Sequence, residues 1–598
     1  VSENLLPTMS DRELAFQLYE VIGIDSLTDR RQFAHLDRNA FNDVLRTASA
    51  LARDHFQSHN HLSDSLEPEL RDGKVITPPQ VKAALEQFVN AGFMSAHNSE
   101  DEGGLQLPWC VLQACFSYFY AANVGTAAYP FLTIAAANLI KAFGTEEQRA
   151  RFMQPMFAGR FFGTMCLSEP HAGSGLGEIT TKAVRRADGS YSLVGSKMWI
   201  SGGDHELAET IIHMVLARVE GAPAGTRGIS LFIVPRDIPG KDGTFVRNDV
   251  TAAGLNHKLG QRGTVNTFLK FGEGGQCVAY LVGEENCGLR YMFHMMNEAR
   301  VGVGLSSASL GMAGFLYSRA YAAERRQGKR NGSTPPPRIN EYPDVKRMLL
   351  SQKAAVEGSL GLCLFAAWLV DERETALTKE ARLGAGRFLD FLTPIVKSWP
   401  AKHCLEANKD AIQILGGYGY SREYPVEQIY RDNRLNEIHE GTSGIQAIDF
   451  LNRKLAFDDG AGLRALLSSI SSDVAIAAAE PALAGLAERL QTAAGSVART
   501  AAALEKKRLA ETADRFLENA SLFLDMAGHL VIGWIWLRQA ISAASARRGD
   551  VGSDREFYDG KLLCCEYFFR YELPKIDYLE TVISTSLHIV ADADPNSI

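Results

Sequence analysis

The chain has 598 residues, too many for one hydrophobic core, so roughly three or four domains are expected. Its 46% hydrophobic and 22% charged residues are those of an ordinary globular protein. A net charge of -8 argues against nucleic-acid binding, because no basic balance is available to neutralise phosphates; acidic small ligands, which need only a local basic patch, stay open.

The nine cysteines (Cys110, Cys115, Cys166, Cys277, Cys287, Cys363, Cys404, Cys564 and Cys565) are scattered, odd in number and form no CxxC pair. A reducing, cytoplasmic compartment is expected. The first residues are polar and acidic without a signal-peptide pattern, and the closing DPNSI is not a peroxisomal address. Within the apolar helix candidate 522–541, the longest uninterrupted run, 530–537, is eight residues, too short to span a bilayer.

Residues 1–37 read as an N-terminal extension and 38–158 as a helical domain. Phe41, Val44, Leu45, Ala48 and Leu51 recur at helix spacing, as do Ala84, Phe88, Val89 and Phe93, and 116–143 is a long apolar helical stretch interrupted by Pro130. From 159 to 286 the period changes to short strands. The pair 181–184 and 191–194 flanks Asp188-Gly189, a hairpin signal, and the spacing predicts an antiparallel β-domain. Residues 287–457 return to long helices, interrupted by a Pro- and Gly-rich loop at 328–342 that carries Lys329, Arg330 and Arg338. After the linker-like Asp458-Asp459-Gly460, residues 463–598 read as an additional bundle of about four helices.

Two segments of the β-domain combine small, hydroxylated and aromatic residues. Met165-Cys166-Leu167-Ser168-Glu169-Pro170-His171-Ala172-Gly173-Ser174-Gly175 leaves a strand for a loop whose N–H groups can face an anion. Its glycine spacing opens no helix, so it is not a dinucleotide fingerprint, and an ordinary strand-to-loop turn remains open. In Lys197-Met198-Trp199-Ile200-Ser201, Trp199 is either a flat ligand-facing ring or a core tryptophan. Further on, Gln413-Ile414-Leu415-Gly416-Gly417-Tyr418-Gly419-Tyr420 is a glycine-rich turn, and Ile438-His439-Glu440-Gly441-Thr442 sets a lone acid in a tight bend. The run Ser443-Gly444-Ile445-Gln446 suggests a capping box just beyond it.

These four motifs, in this order over about residues 38–455, resemble the acyl-CoA dehydrogenase family. The appended domain resembles the longer bacterial branch, which includes long-chain and methylmercaptopropionyl-CoA dehydrogenases. The resemblance implies an α+β multidomain fold of N-terminal helical domain, middle antiparallel β-domain and C-terminal four-helix bundle, plus the additional helical domain. It implies FAD, with Met165, Leu167 and Ser168 lining the flavin, Ser174 near phosphate, and Trp199 and Ser201 flanking the isoalloxazine. It also implies Arg325 at the pyrophosphate of the neighbouring subunit, Gln413 and Gly417 near its adenosine, and Thr442 near the phosphates with Gln446 following. Cross-subunit binding implies at least a dimer.

The chemistry so implied is removal of an α-proton from an acyl-CoA thioester and departure of the β-hydrogen as hydride, giving a trans-2-enoyl-CoA, the first step of fatty acid β-oxidation. A carboxylate must then reach the α-carbon while its own N–H polarises the thioester carbonyl. Glu440 matches the base, Gly441 leaves room for the thioester, and burial is expected to raise the Glu440 pKa toward neutrality. Arg300 matches an arginine near substrate and base loop. The alternative base position on the helix is Ala299, with Glu298 one residue away. His439 stands where many relatives carry Tyr, as a pocket wall or a group that tunes Glu440, and Met296 and Asn297 depart from the family's CoA contacts. His171 and Gly175 replace a common Gly and Asp. Tyr129, Pro130 and Phe131 lie where the acyl pocket ends, so their bulk is expected to shorten it. The expected electron acceptor is an electron-transfer flavoprotein; the rivals are an acyl-CoA oxidase using dioxygen and a catalytically silent flavin-bearing binding protein. The additional domain is expected to leave a homodimer.

Overall fold

The computed structural model describes residues 7–240, 242–329, 335–585 and 587–598. Arg330 of the basic loop lies outside them. The chain folds into two compact units that do not follow chain order: one gathers residues 1–45, 108–117 and 300–598, the other 46–107 and 118–299. The residues expected to form one helical domain, 38–158, are thus divided between the units.

The long apolar stretch is one helix, Trp109–Phe143, which belongs to the second unit from Tyr118 on; it continues through Pro130 and kinks instead at Asn123 (φ -163°, ψ 89°). There the side chain does what a helix cap does: Asn123 Oδ1 accepts from the Thr126 N–H at 3.0 Å, and its Nδ2 donates to the Phe56 carbonyl at 3.2 Å. The β-domain is built on an eight-stranded sheet. Lys182–Arg185 pairs antiparallel with Tyr191–Ser201 across the Asp188-Gly189 turn. Tyr191–Ser201 continues unbroken through the Lys197–Ser201 motif and pairs antiparallel with Asn266–Phe271 and Val278–Leu281. The sheet is antiparallel except where Phe161–Cys166 and Lys182–Arg185 run parallel to Thr210–Val219.

The first unit is helical. Three long helices, Gly288–Glu324 (from Arg300 on), Pro343–Thr375 and Lys379–Leu415, pack in sequence, so the first and third run the same way. Small residues set how close they come. A Cβ at Gly304 would lie 2.1 Å from the Val396 carbonyl oxygen, one at Gly311 3.0 Å from Cys404 Cβ, and one at Gly314 2.4 Å from Asn408 Nδ2. Pro400 has no N–H, so the Val396 carbonyl lacks its usual donor four residues on, and this oxygen faces Gly304.

Residues beyond 460 join the same unit; they are not a free-standing bundle. They supply five helices of ten residues or more: Ala461–Ala478, Ala484–Ala510, Ala520–Ala546, Arg555–Tyr571 and Lys575–Ser584. Helix Ala520–Ala546 sits in slots left by Gly358 and Gly361, where a Cβ would come within 2.8 Å of Trp536 Nε1 and 2.9 Å of Ile535 Cγ2. Trp536 Nε1 donates to the Ala354 carbonyl at 2.9 Å. The N-terminal segment docks through a buried ion cluster, in which Lys561 Nζ donates to Glu357 at 2.7 Å and Gln539 at 3.0 Å and also pairs with Glu13. Four segments (Gly288–Glu324, Pro343–Thr375, Phe457–Ala478, Ala513–Ala546) are long and apolar enough to cross a membrane, contrary to the expectation drawn from the eight-residue run. The reason is that small residues and isolated polar ones extend the apolar windows. Three of these windows are 83–89% buried within the protein, whereas that of Phe457–Ala478 is 22% buried.

Because the Gly304 contact is with backbone, relief requires separating two helices. Gly304→Ala is expected to destabilise the protein by about 1–3 kcal/mol, the usual cost of overpacking, read as a lowered apparent Tm.

Candidate active site

The base loop begins where helix Pro425–Arg434 gives way to a 3-10 turn, Leu435–Glu437. Glu440 then adopts φ +56° and Gly441 φ +88°. A left-handed glutamate is costly and persists only where surroundings enforce it. Here Gln446 Nε2 donates to the Glu440 carbonyl at 3.0 Å. A Cβ at Gly441 would lie 2.6 Å from that same nitrogen, so only glycine admits the clasp. The cap of the following helix, Ser443–Asp449, is Thr442, whose hydroxyl accepts from the Ile445 N–H at 3.3 Å; the capping box expected from Ser443 is not formed. Thr442 and the buried Gln446, expected near cofactor, therefore both hold the loop in shape.

Within this conformation the Glu440 carboxylate and N–H have no hydrogen-bond partner among the described residues. Burial pushes the Glu440 pKa up from 4.5 to about 7, against the opposing pull of Arg300 and Lys397. Arg300 is 3% exposed, and its guanidinium lies 3.6 Å from Asp449. Glu298, the rival acid, is occupied by Asn138 Nδ2 at 3.1 Å and His294 at 3.6 Å.

His439 is fixed by a ladder of buried amides that sequence reasoning missed. Asn408 donates to the Leu310 carbonyl (3.0 Å), Asn433 to Asn408 (2.7 Å) and Asn436 to Asn433 (3.0 Å), and the Asn436 oxygen meets His439 Nε2 at 2.9 Å. The last contact assigns the proton to Nε2. Burial, with Lys397 nearby, drops the His439 pKa to about 3, so the ring is neutral and does not tune Glu440 by charge. The signal was present in the three-residue spacing Asn433, Asn436, His439, which stacks side chains on one helical face.

A second cluster in the same unit brings Arg325, Gln413 and Gly417 to one open cavity of about 780 Å³, together with Tyr321, Gly416 and Tyr418. Arg325 is held there by the pairing of two described segments: Ile339 N–H donates to the Arg325 carbonyl at 2.8 Å and Gln327 N–H to the Pro337 carbonyl at 3.1 Å. Nothing lies within 4 Å of where a Cβ would stand on Gly416 or Gly417, so backbone is open to a ligand. A free guanidinium face, an amide and bare backbone suit a phosphate-bearing nucleotide.

In the other unit, the two β-domain motifs are riveted together. Met198 N–H donates to the Ser168 carbonyl at 2.9 Å, and buried Lys197 donates to the Leu167 carbonyl (2.8 Å) and to Glu169 (2.9 Å). Glu169 also accepts from Thr180 and Thr181, and these donors with Lys197 hold its pKa at about 2 in spite of burial. Glu169 and Lys197 lie inside the motifs but were passed over for their neighbours.

Against Asn266–Phe271, the register slips between Lys197 and Ile200, a β-bulge that places Trp199 at φ +66° and leaves it 61% exposed. The core-tryptophan alternative is excluded: the ring is a flat, open face. Ser201 Oγ accepts from Asn266 at 3.2 Å, Met165, Leu167 and Ser168 are half-buried, and Ser174 is exposed. Tyr129, expected at the end of an acyl pocket, is instead used by the core of its unit: its hydroxyl accepts from the Val265 N–H at 2.9 Å, and its ring meets His205 edge-on.

Four known domains match in order. Residues 58–160, 164–272 and 286–455 match the N-terminal, middle and C-terminal domains of acyl-CoA dehydrogenase, and 466–594 match a domain described as acetyl-CoA dehydrogenase C-terminal like. The 3-methylmercaptopropionyl-CoA dehydrogenase of Ruegeria pomeroyi is 35% identical over 85% of this chain and 86% of its own. The broad-specificity linear acyl-CoA dehydrogenase FadE5 of Mycobacterium tuberculosis is 33% identical over 98% of both. Among solved structures, Caenorhabditis elegans ACDH-11 in complex with C11-CoA superposes with a TM-score of 0.75 at 18% identity, over 100% of this chain and 98% of that one. Acyl-CoA dehydrogenase of Bacillus anthracis complexed with FAD gives 0.75 at 19%, over 93% and 89%. With 35% identity over most of both chains and all four domains in order, this chain belongs to the acyl-CoA dehydrogenase family, in the long form that carries the additional C-terminal domain.

Proposed function

We propose that the protein is an FAD-dependent dehydrogenase that converts an acyl-CoA to its trans-2-enoyl-CoA, with Glu440 as the base. The observation that carries this reading is a carboxylate without hydrogen-bond partners among the described residues, on a strained and clasped bend, poised at a pKa of about 7. An acid so placed is ionised near neutral pH yet basic enough to take a weakly acidic α-proton. The Glu440 N–H, likewise unengaged among the described residues, supplies a donor for the thioester oxygen, where charge develops as that proton leaves. Arg300, paired with Asp449 behind the loop, keeps positive charge beside the carboxylate without bonding to it.

The residues present fit FAD. In one unit the Arg325–Gln413–Gly417 cavity offers a cation and open backbone for the phosphates and nucleoside of a neighbouring subunit's FAD; in the other, taken by itself, the exposed Trp199 ring with Ser201 offers a wall for an isoalloxazine. When bound, FAD would supply the acceptor for the β-hydrogen as hydride. We further assign electron-transfer flavoprotein as the next acceptor. Nine free cysteines support a cytoplasmic setting, and the additional helices that cover Pro343–Thr375 support a homodimer, which light scattering would report.

Glu440→Gln is expected to keep its yellow flavin and lose anaerobic bleaching by acyl-CoA by at least about a thousandfold. Full bleaching in that variant would remove the base assignment. In the wild type, kcat/KM is expected to rise with pH through about 7 and then level, because the base must lose its proton first. Arg325→Ala is expected to weaken FAD retention, read as a lower flavin-to-protein ratio after gel filtration, without altering that pH limb.

A further inference from the structure

Lys397 lies in the middle of helix Lys379–Leu415, between Pro394 and Pro400. Its side chain is 0% exposed, and its Nζ has no hydrogen-bond partner among the described residues. Contrast Lys561 and Lys197, equally buried, which each donate to a carboxylate and to a further oxygen. An ammonium taken from water without an acceptor is among the costliest groups a core can hold, so a structural reason for keeping one is missing here.

The opposite charges that act on Lys397 are those of Glu440 and Glu437, and the like charge is that of Arg300 on helix Gly288–Glu324. Seen from Glu440, the charged neighbours are the same pair of cations, Arg300 and Lys397. The two differ in what else they serve. Arg300 is shared with Asp449 and also feels Arg453 and Asp390. Lys397 bonds to no carboxylate among the described residues, so its field falls on the base loop undivided. His439, the remaining titratable group beside it, is neutral and tied to Asn436.

We propose that Lys397 is a positioning residue for the dehydrogenation: its buried, unbonded ammonium keeps Glu440 in the carboxylate form until the α-proton is transferred. The inference rests on the reading of Glu440 as base. An ammonium hydrogen-bonded to Glu440 would lower its basicity too far; one acting through space counters burial and leaves the carboxylate reactive. Burial raises Glu440 to about 7 and lowers Lys397 to about 8, and in each case the other's charge pulls against that shift.

The test is the pH dependence of anaerobic flavin reduction in the FAD-loaded enzyme, with the best saturated acyl-CoA from a short- to long-chain panel. Lys397→Met is expected to move the acidic limb up by about one pH unit, so that the rate falls about tenfold below the limb while the alkaline plateau stays within about threefold. Removing an unpaired buried charge is expected to leave the apparent Tm unchanged or raised. Lys397→Gln, which keeps a polar group, guards against a packing failure and is expected to show the same shift. A limb that does not move in either variant, or a rate lost equally at every pH, overturns the proposal. Bleaching that survives in Glu440→Gln would instead remove the base itself, so the two failures are told apart.

Discussion

The approach of two helices sets the geometry on which the candidate site depends. Gly304, Gly311 and Gly314 leave one face of Gly288–Glu324 without side chains, and Lys379–Leu415 comes close enough for backbone contact at Val396 and side-chain contact at Cys404 and Asn408. Two prolines in the second helix would ordinarily cost about 3 kcal/mol each. Their positions make the cost intelligible. Pro400 strips the Val396 carbonyl of its usual donor at a point where a glycine, Gly304, stands opposite, and the pair brackets Lys397. Close packing also gives the amide of Asn408 a slot opposite Gly314, from which the ladder to His439 starts.

From that contact the site can be followed outward as a hierarchy of rigidity. The amide ladder fixes His439, Gln446 clasps the carbonyl of Glu440, and Thr442 caps the helix beyond. The Glu440 carboxylate is left without a hydrogen-bond partner among the described residues. The same division recurs in the β-domain, where Lys197 and Glu169 lock two motifs together and the bulge within the second motif frees Trp199. In both places a non-glycine residue is held at positive φ by bonds made through its neighbours, the pattern expected where strain is retained for function.

What the sequence made legible follows from this. Periodicity revealed the helical and strand regions, and Asp188-Gly189 revealed its hairpin, because these depend on local preference. The motif residues were legible through resemblance. Unread were features that depend on pairing between distant segments: the kink at Asn123, not Pro130, needs the Phe56 carbonyl as acceptor. The cap at Thr442, not Ser443, depends on where the chain turns. The burial of Tyr129 needs Val265, and the absence of any partner for Lys397 is invisible until all its neighbours are placed.

The additional C-terminal residues also become intelligible as part of this mechanics. Helix Lys379–Leu415 carries Lys397 toward the base loop, and six residues later His403, about 240° around the helix, faces the other way. There His403 meets one oxygen of Asp525 at 2.9 Å and Lys402 the other at 2.7 Å, while His529 Nδ1 bonds the Asp525 carbonyl at 2.8 Å. Asp525 thus ties the two helices together through both of its carboxylate oxygens. Trp399 stacks on His403 at 4.1 Å, and Gly528 leaves room for the same indole. A helix weakened by two prolines is thus supported on its outer face by Ala520–Ala546 at the level where its inner face presents a bare charge. In this form of the family the extra helices belong to the framework that keeps Lys397 and Glu440 in register, and cannot be regarded as an appendage beside it.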